Sequence, residues 1–273
     1  MENVFDILAK EDMDVSYLFL EYNRRKEEGR LYSRNDYVPQ NLIKLYYLDT
    51  NHLDFKKIID EFKKKTIYSE NEMELVHEEL ERKGLALVYD DIENGRFARV
   101  RNIHVILLIH NVLYSCMPSS SYGGKWRNVN ACIADTDVKT TDYNEISLEI
   151  QKLSGIYEDI LSLADLINKN KSPDLLIQYI NKCLYLKCKI IKIHPFMDGN
   201  GRTCRALVNM LFKEVGLPPI YILRAERDEY LKAMDATSSR DDFSLINKFY
   251  YYKICDSIYE LDIVNRKNKG KTK

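Results

Sequence analysis

His194-Pro195-Phe196-Met197-Asp198-Gly199-Asn200-Gly201-Arg202-Thr203-Cys204-Arg205 joins two segments that read as helices. Upstream, Ser172-Pro173-Asp174 has the form of a helix start, with Ser172 as N-cap and Pro173 at the first helical position. From there to Ile193 apolar residues fall on most sides: Leu175, Leu176, Ile180, Cys183, Leu184, Leu186, Ile190 and Ile191. A helix that is apolar nearly all round is a buried central one. Pro195 stops it, because a proline disfavours helical geometry in the residue before it and has no N–H to donate. Downstream, Arg202 to Val215 restarts a helix with Leu207, Leu211 and Val215 on one stripe, and Gly216-Leu217-Pro218-Pro219 closes it. The stretch predicts a mainly α fold around a buried helix that ends at His194.

The turn between the two helices has the makings of an anion site. Gly199 and Gly201 let the backbone take φ > 0 and approach a ligand closely. The N–H groups around Asn200 and Gly201 then open a helix whose macrodipole favours negative charge. Arg202 and Arg205, three apart, share a helix face and can grip phosphate oxygens together. Asp198 is a hard carboxylate suited to Mg²⁺, which binds one or two carboxylates plus substrate phosphates. His194 is a base or nucleophile whose ordinary pKa lies near working pH. The plainer alternative is a helix–turn–helix with a glycine turn and two surface arginines. The coincidence of His, Asp, Asn and two Arg in one register argues against it.

This stretch resembles the signature of the Fic family, His-Pro-Phe-x-Asp/Glu-Gly-Asn-Gly-Arg-x-x-Arg, with every specified position filled. The resemblance extends over about residues 60 to 250. It implies a mainly α, Fic-like helical bundle with a small β-hairpin flap, and transfer of AMP from ATP to a hydroxyl side chain (Ser, Thr or Tyr) of a target protein. It makes His194 the general base and Asp198 the holder of Mg²⁺. It gives the α- and β-phosphates to Asn200 and the Gly199–Gly201 backbone, and the β- and γ-phosphates to Arg202 and Arg205. Doc toxins, phosphotransferase relatives, carry Lys where Gly201 stands, so the resemblance favours the AMP-transferring form. The same fold transferring another nucleotide or phosphocholine, or removing AMP, is the near alternative. A nucleotide-binding interaction protein without turnover is the distant one, and a helix–turn–helix DNA binder is disfavoured by charge. Self-modification and a homodimer are both compatible with the resemblance.

Three further segments carry the resemblance. Thr66, Glu70 and Asn71 fit the family's inhibitory motif, Ser/Thr-x-x-x-Glu-Gly/Asn, which implies that Glu70 holds Arg205 away from the γ-phosphate. The plainer reading is a capping box, Ser69 with Glu72, opening a helix from Glu70 to Lys83 that Gly84 closes. Gly124, Trp126 and Arg127 match the element that precedes the target-docking flap, here Val129, Asn130, Ala131, Cys132 and Ile133, whose alternation is strand-like. Tyr230, within Arg227 to Met234, corresponds to the segment lining the adenine pocket. Thr237 stands where many relatives carry an Asn, which leaves the base preference open.

The remaining sequence bounds the answer. The 273 residues are 45% hydrophobic and 30% charged with a net charge of −1, which gives no basic field for nucleic acid or membrane. No window reaches the length of a transmembrane helix, and the N-terminus lacks a signal-peptide core. Six cysteines form no Cys-x-x-Cys pair, which fits a cytoplasmic protein with reduced thiols. Cys204 reads as a small helix residue and His110, on a strongly apolar helix, as a packing residue outside the site. The expected organisation is an N-terminal helical region over 1–62, an inhibitory helix over 63–84, a catalytic core over 85–262 and a basic disordered tail over 263–273. No repeat suggests a tetratricopeptide array.

Overall fold

The computed structural model describes residues 70–254, except 118–119, 134–137, 171–172, 218 and 223–225, and over 70–79 it describes the helical backbone alone. The regions expected over 1–62 and 263–273, Thr66 and the Glu70 side chain therefore lie outside the described residues. The helices in chain order are α1 (Glu70–Glu93), α2 (Val105–Tyr114), α3 (Ile146–Lys152), α4 (Ser154–Asn170), α5 (Pro173–Ile193), α6 (Asn200–Glu214) and α7 (Arg227–Arg240). Residues 244–254 are helical as well.

The central position of α5 follows from its composition. Leu176, Ile177, Tyr179, Ile180, Cys183, Leu184, Leu186, Cys188 and Ile190 are all buried, on every side of the helix. Each such aliphatic side chain contributes about 1.5–3 kcal/mol relative to exposure. Around α5 pack α3, α4, α6 and α7. The α4 helix shows the ordinary one-sided pattern, with Tyr157, Ile160, Ala164 and Ile167 facing inward. The Tyr179 hydroxyl donates to the Leu211 carbonyl at 2.5 Å and fastens α5 to α6.

Outside α6 lie α2 and α1. The α1 helix passes the point where the sequence predicts a stop at Gly84, and so it crosses the expected 84/85 boundary. Gly84 is there for packing: a Cβ at this position would lie 2.0 Å from the Leu113 carbonyl oxygen of α2. The glycine lets two backbones meet rather than ending a helix. Along α6, α1 runs in the same direction, held at three levels. Glu81 pairs with Arg202 at 2.5 Å, Tyr89 accepts from Asn209 at 2.8 Å, and Lys213 donates to the Ile92 and Glu93 carbonyls at 3.0 and 2.5 Å. Arg202, Asn209 and Lys213 are seven and four residues apart and share one face of α6.

The expected β-hairpin is reduced, among the described residues, to one antiparallel bridge between Cys132 and Lys139. Its legs are held by side chains. Thr140 donates to the Ala131 carbonyl, Asn130 donates to Asp142 at 3.1 Å and accepts from the Tyr143 N–H at 3.0 Å. Val129, at the start of this ribbon, is 47% exposed, and a two-stranded ribbon alone is only marginally stable.

Candidate active site

Three elements meet at the signature loop: the C-terminus of α5, the N-terminus of α6 and the inner face of α2. The last N–H of α5 belongs to His194, donating to Ile190 O at 3.0 Å. The chain then leaves the helix with His194 at φ 53°, a left-handed conformation that a non-glycine residue keeps only when its surroundings impose it. Burial pulls the His194 pKa below the ordinary imidazole value and Arg127 adds to that, while the Ile191 carbonyl opposes it. The imidazole is therefore neutral at pH 7, as a general base requires. Its Nδ1 is buried without a hydrogen-bond partner.

Asp198 sits two residues before the start of α6, with a side chain 62% exposed. Its Oδ2 accepts from the Tyr114 hydroxyl at 2.8 Å and from Arg202 Nη2 at 3.0 Å. Burial would raise its pKa; the Tyr114 hydroxyl and Arg202 override that and hold it below the usual carboxylate range. Arg202 is thus gripped from two sides, by Asp198 and by Glu81 of α1. From α1, Glu81 engages Arg202 at 2.5 Å.

Each glycine of the signature has its own task. Gly199 caps α6 at φ 74°, as the sequence predicts. A Cβ there would press on Tyr114 at 2.8 Å and on Leu113 at 3.3 Å. Gly201 does not take a positive φ; it lies in the first turn of α6, where a Cβ would stand 3.1 Å from Arg205 Nη1. The glycine has a steric role there: it leaves room for the Arg205 guanidinium. Asn200 also differs from its expected presentation. Its amide turns inward and clamps both backbone groups of Phe196 at 2.9 Å, so the side chain stiffens the loop. What α6 offers an anion is its first-turn N–H groups, which a helix start leaves without intrahelical partners.

His110, which sequence reasoning placed outside the site, is part of its frame. It is 1% exposed and stacks on Phe196 with ring centroids 3.8 Å apart. The Gly124 N–H donates to Nδ1 at 3.0 Å, so the ring hydrogen is on Nε2, which donates to the Asp198 carbonyl at 3.0 Å. Burial lowers its pKa from 6.5 to about 4 and keeps it neutral. The one signal in the sequence was a histidine amid Val105 to Tyr114, a run otherwise nearly all apolar.

Arg127, which the sequence places in the element preceding the flap, also reaches the signature loop. It is 2% exposed and donates to His194 O at 2.7 Å, to Val129 O at 2.6 Å, to Thr141 O and, at 3.4 Å, to Ile193 O. Tyr230 lies on α7, buried against Phe249, with the buried Lys187 ammonium 4.7 Å from its ring centroid. Thr237 donates to the Met234 carbonyl at 2.7 Å, within its own helix. Cys204 is fully buried and its thiol is pushed up to about 12, so it stays protonated and unreactive. Among the described residues no cluster of three or more His, Cys, Asp or Glu could hold a metal ion, and no helix is long and apolar enough to cross a membrane.

Residues 97–212 match the family model described as Fic/DOC family. Curated proteins named protein adenylyltransferase Fic, from Drosophila persimilis and Drosophila grimshawi, are 39% and 37% identical over 62 residues. That stretch is 23% of this chain and 12–13% of theirs, so the match spans about an eighth of the relatives' length. Among solved structures, Fic-1 from C. elegans superposes with a TM-score of 0.64 at 15% identity, over 93% of this chain and 73% of that one. A Fic domain containing signaling protein from Bacteroides thetaiotaomicron gives 0.56 at 16%, over 90% and 95%. At these identities the structural likeness is one of fold.

Proposed function

We propose that the protein moves AMP from ATP to a hydroxyl side chain of a target protein, a reading supported by the match of residues 97–212 to the Fic/DOC family model. The observation that carries this reading is the placement of a neutral His194 at the end of α5, in one rigid loop with Asp198 and the opening turn of α6. His194 takes the proton of the target hydroxyl. The oxygen forms a bond to the α-phosphorus, the bond from that phosphorus to the α,β-bridging oxygen breaks, and pyrophosphate leaves. The N-terminus of α6, Arg202 and Arg205 stabilise the phosphate charge, so positioning and electrostatics do most of the work.

Mg²⁺ fits this donor set. Asp198 offers one exposed carboxylate held in its charged form, and Mg²⁺ completes its shell with water and phosphate oxygens. When bound, it would neutralise phosphate charge. The chain's own contribution is to keep Asp198 ionised through Tyr114 and to hold Arg202 beside it. Gly201 supports the AMP-transferring form, since a side chain there crowds Arg205. The base is less constrained: Thr237 uses its hydroxyl on its own helix, which favours, as a second reading, the same chemistry with another nucleotide.

In this reading the Val129–Ile133 segment docks the target by main-chain pairing, and Tyr230 lies by the base. Glu70 acts as a brake on Arg205. If the open form were about 1% of the total, Glu70→Gly would raise labelling up to ~100-fold. Equal labelling by wild type and Glu70→Gly would remove the brake from the account. The reaction itself is tested by incubating the protein with ATP and a cell lysate and sequencing modified peptides by mass spectrometry. AMP on Ser, Thr or Tyr is the expected adduct; phosphate or UMP in its place would redirect the assignment.

A further inference from the structure

Arg127 is a buried cation whose hydrogen-bond partners are all main-chain carbonyls. They belong to three places: Val129 on the leg entering the flap, Thr141 on the leg leaving it, and Ile193 and His194 at the end of α5. The Arg127 N–H adds a fifth tie, to the Pro195 carbonyl at 2.9 Å. The end of a helix explains why a guanidinium is tolerated there. The last carbonyls of α5 have no intrahelical partners and carry the negative end of its dipole. Only a planar fork with several donors can serve them and both flap legs at once; a lysine has one nitrogen on a flexible stem.

Both structures that Arg127 joins need outside support. His194 holds a left-handed backbone, and its own carbonyl is the acceptor of Arg127 Nε. Among the described residues the flap has a single bridge, and both its legs end on the same guanidinium. We propose that Arg127 is a positioning residue that makes target docking and orientation of the catalytic base one mechanical unit. A target segment drawn onto the flap then fixes the Val129 carbonyl, and through Arg127 it fixes the backbone that carries the imidazole. This rests on reading His194 as the base and Val129–Ile133 as the docking segment. A role confined to stability would lower folding free energy without linking these two places.

The test uses Arg127→Lys, which keeps the charge and loses the fork, and Asn130→Ala, which loosens the flap at Asp142 and Tyr143 and leaves α5 untouched. The chain has five histidines, so the His194 imidazole signals can be assigned in NMR spectra by comparison with a His194 variant. In Arg127→Lys, the His194 imidazole and the Val129–Ile133 amides shift together, and ATP affinity stays within about twofold. In the same variant kcat for protein labelling falls about 10- to 100-fold, the scale of a misplaced base, and the target KM rises. In Asn130→Ala the distant His194 signals move too. A flap that shifts while His194 stays still, in either variant, overturns the proposal. So does a loss confined to KM or to kcat. If Arg127→Lys fails to fold, Asn130→Ala decides alone. The NMR readout needs no turnover, so a protein that transfers no AMP would refute the proposed function and leave this coupling to be judged on its own result.

Discussion

At the scale of single residues, His110 shows how a packing position becomes part of a site. Gly124 fills Nδ1 and the Asp198 carbonyl takes the Nε2 hydrogen, so a second proton has no place. In the folded protein its pKa is lowered from 6.5 to about 4 by burial. The unfolded chain binds the proton near pH 6.5. Between those values the unfolded state therefore holds more protons, and stability falls as pH drops through the window while remaining complete above it. The full gap corresponds to roughly 3 kcal/mol. Urea denaturation at pH 7 and pH 4.5 should show the wild type losing roughly 2–3 kcal/mol more on acidification than His110→Gln. Equal losses would mean that His110 is not the buried neutral ring described. Asp198 needs this frame: its carbonyl is pinned by His110 and its carboxylate by Tyr114.

At the scale of elements, α1 is the case where packing overrides a local signal. Gly84 reads as a helix end, yet its backbone meets Leu113 where any Cβ would collide. Gly84→Ala should therefore cost roughly 1–3 kcal/mol by overpacking, although alanine is the better helix former. Chemical denaturation that finds the variant as stable as wild type would contradict that contact. The same contrast explains what was legible in the sequence. Pro195, Gly199 and the 3.6-residue stripes act through their neighbours in the chain, so α5, α6 and the loop between them could be read directly. Gly84 against Leu113, Arg127 on His194, His110 on Asp198 and Glu81 on Arg202 are pairings 29 to 121 residues apart, with no local trace in the sequence. Gly201 was read for its backbone freedom, whereas its role is to leave space for Arg205. The flap's alternation was visible at Val129, Ala131 and Ile133, but alternation does not supply the facing surface that turns one bridge into a hairpin.

At the scale of the molecule, α5 is the axis on which the account turns. Its buried sides gather α3, α4, α6 and α7, and His194 follows its C-terminal end. The likeness to Fic-1 from C. elegans over 93% of the chain is a likeness of this architecture. The chemistry assigned to it is local to the loop, where an imidazole, a carboxylate and a helix start are held by Arg127, His110 and Asn200. The most direct test supplies ATP labelled at the α-phosphate or at the γ-phosphate to wild type and His194→Ala, and measures label that stays on protein after denaturation. The account predicts α-label on protein with wild type, none from γ-labelled ATP, and loss of the α-label in His194→Ala with ATP still bound. Label from the γ-phosphate, or α-labelling by His194→Ala at the wild-type rate, would contradict it.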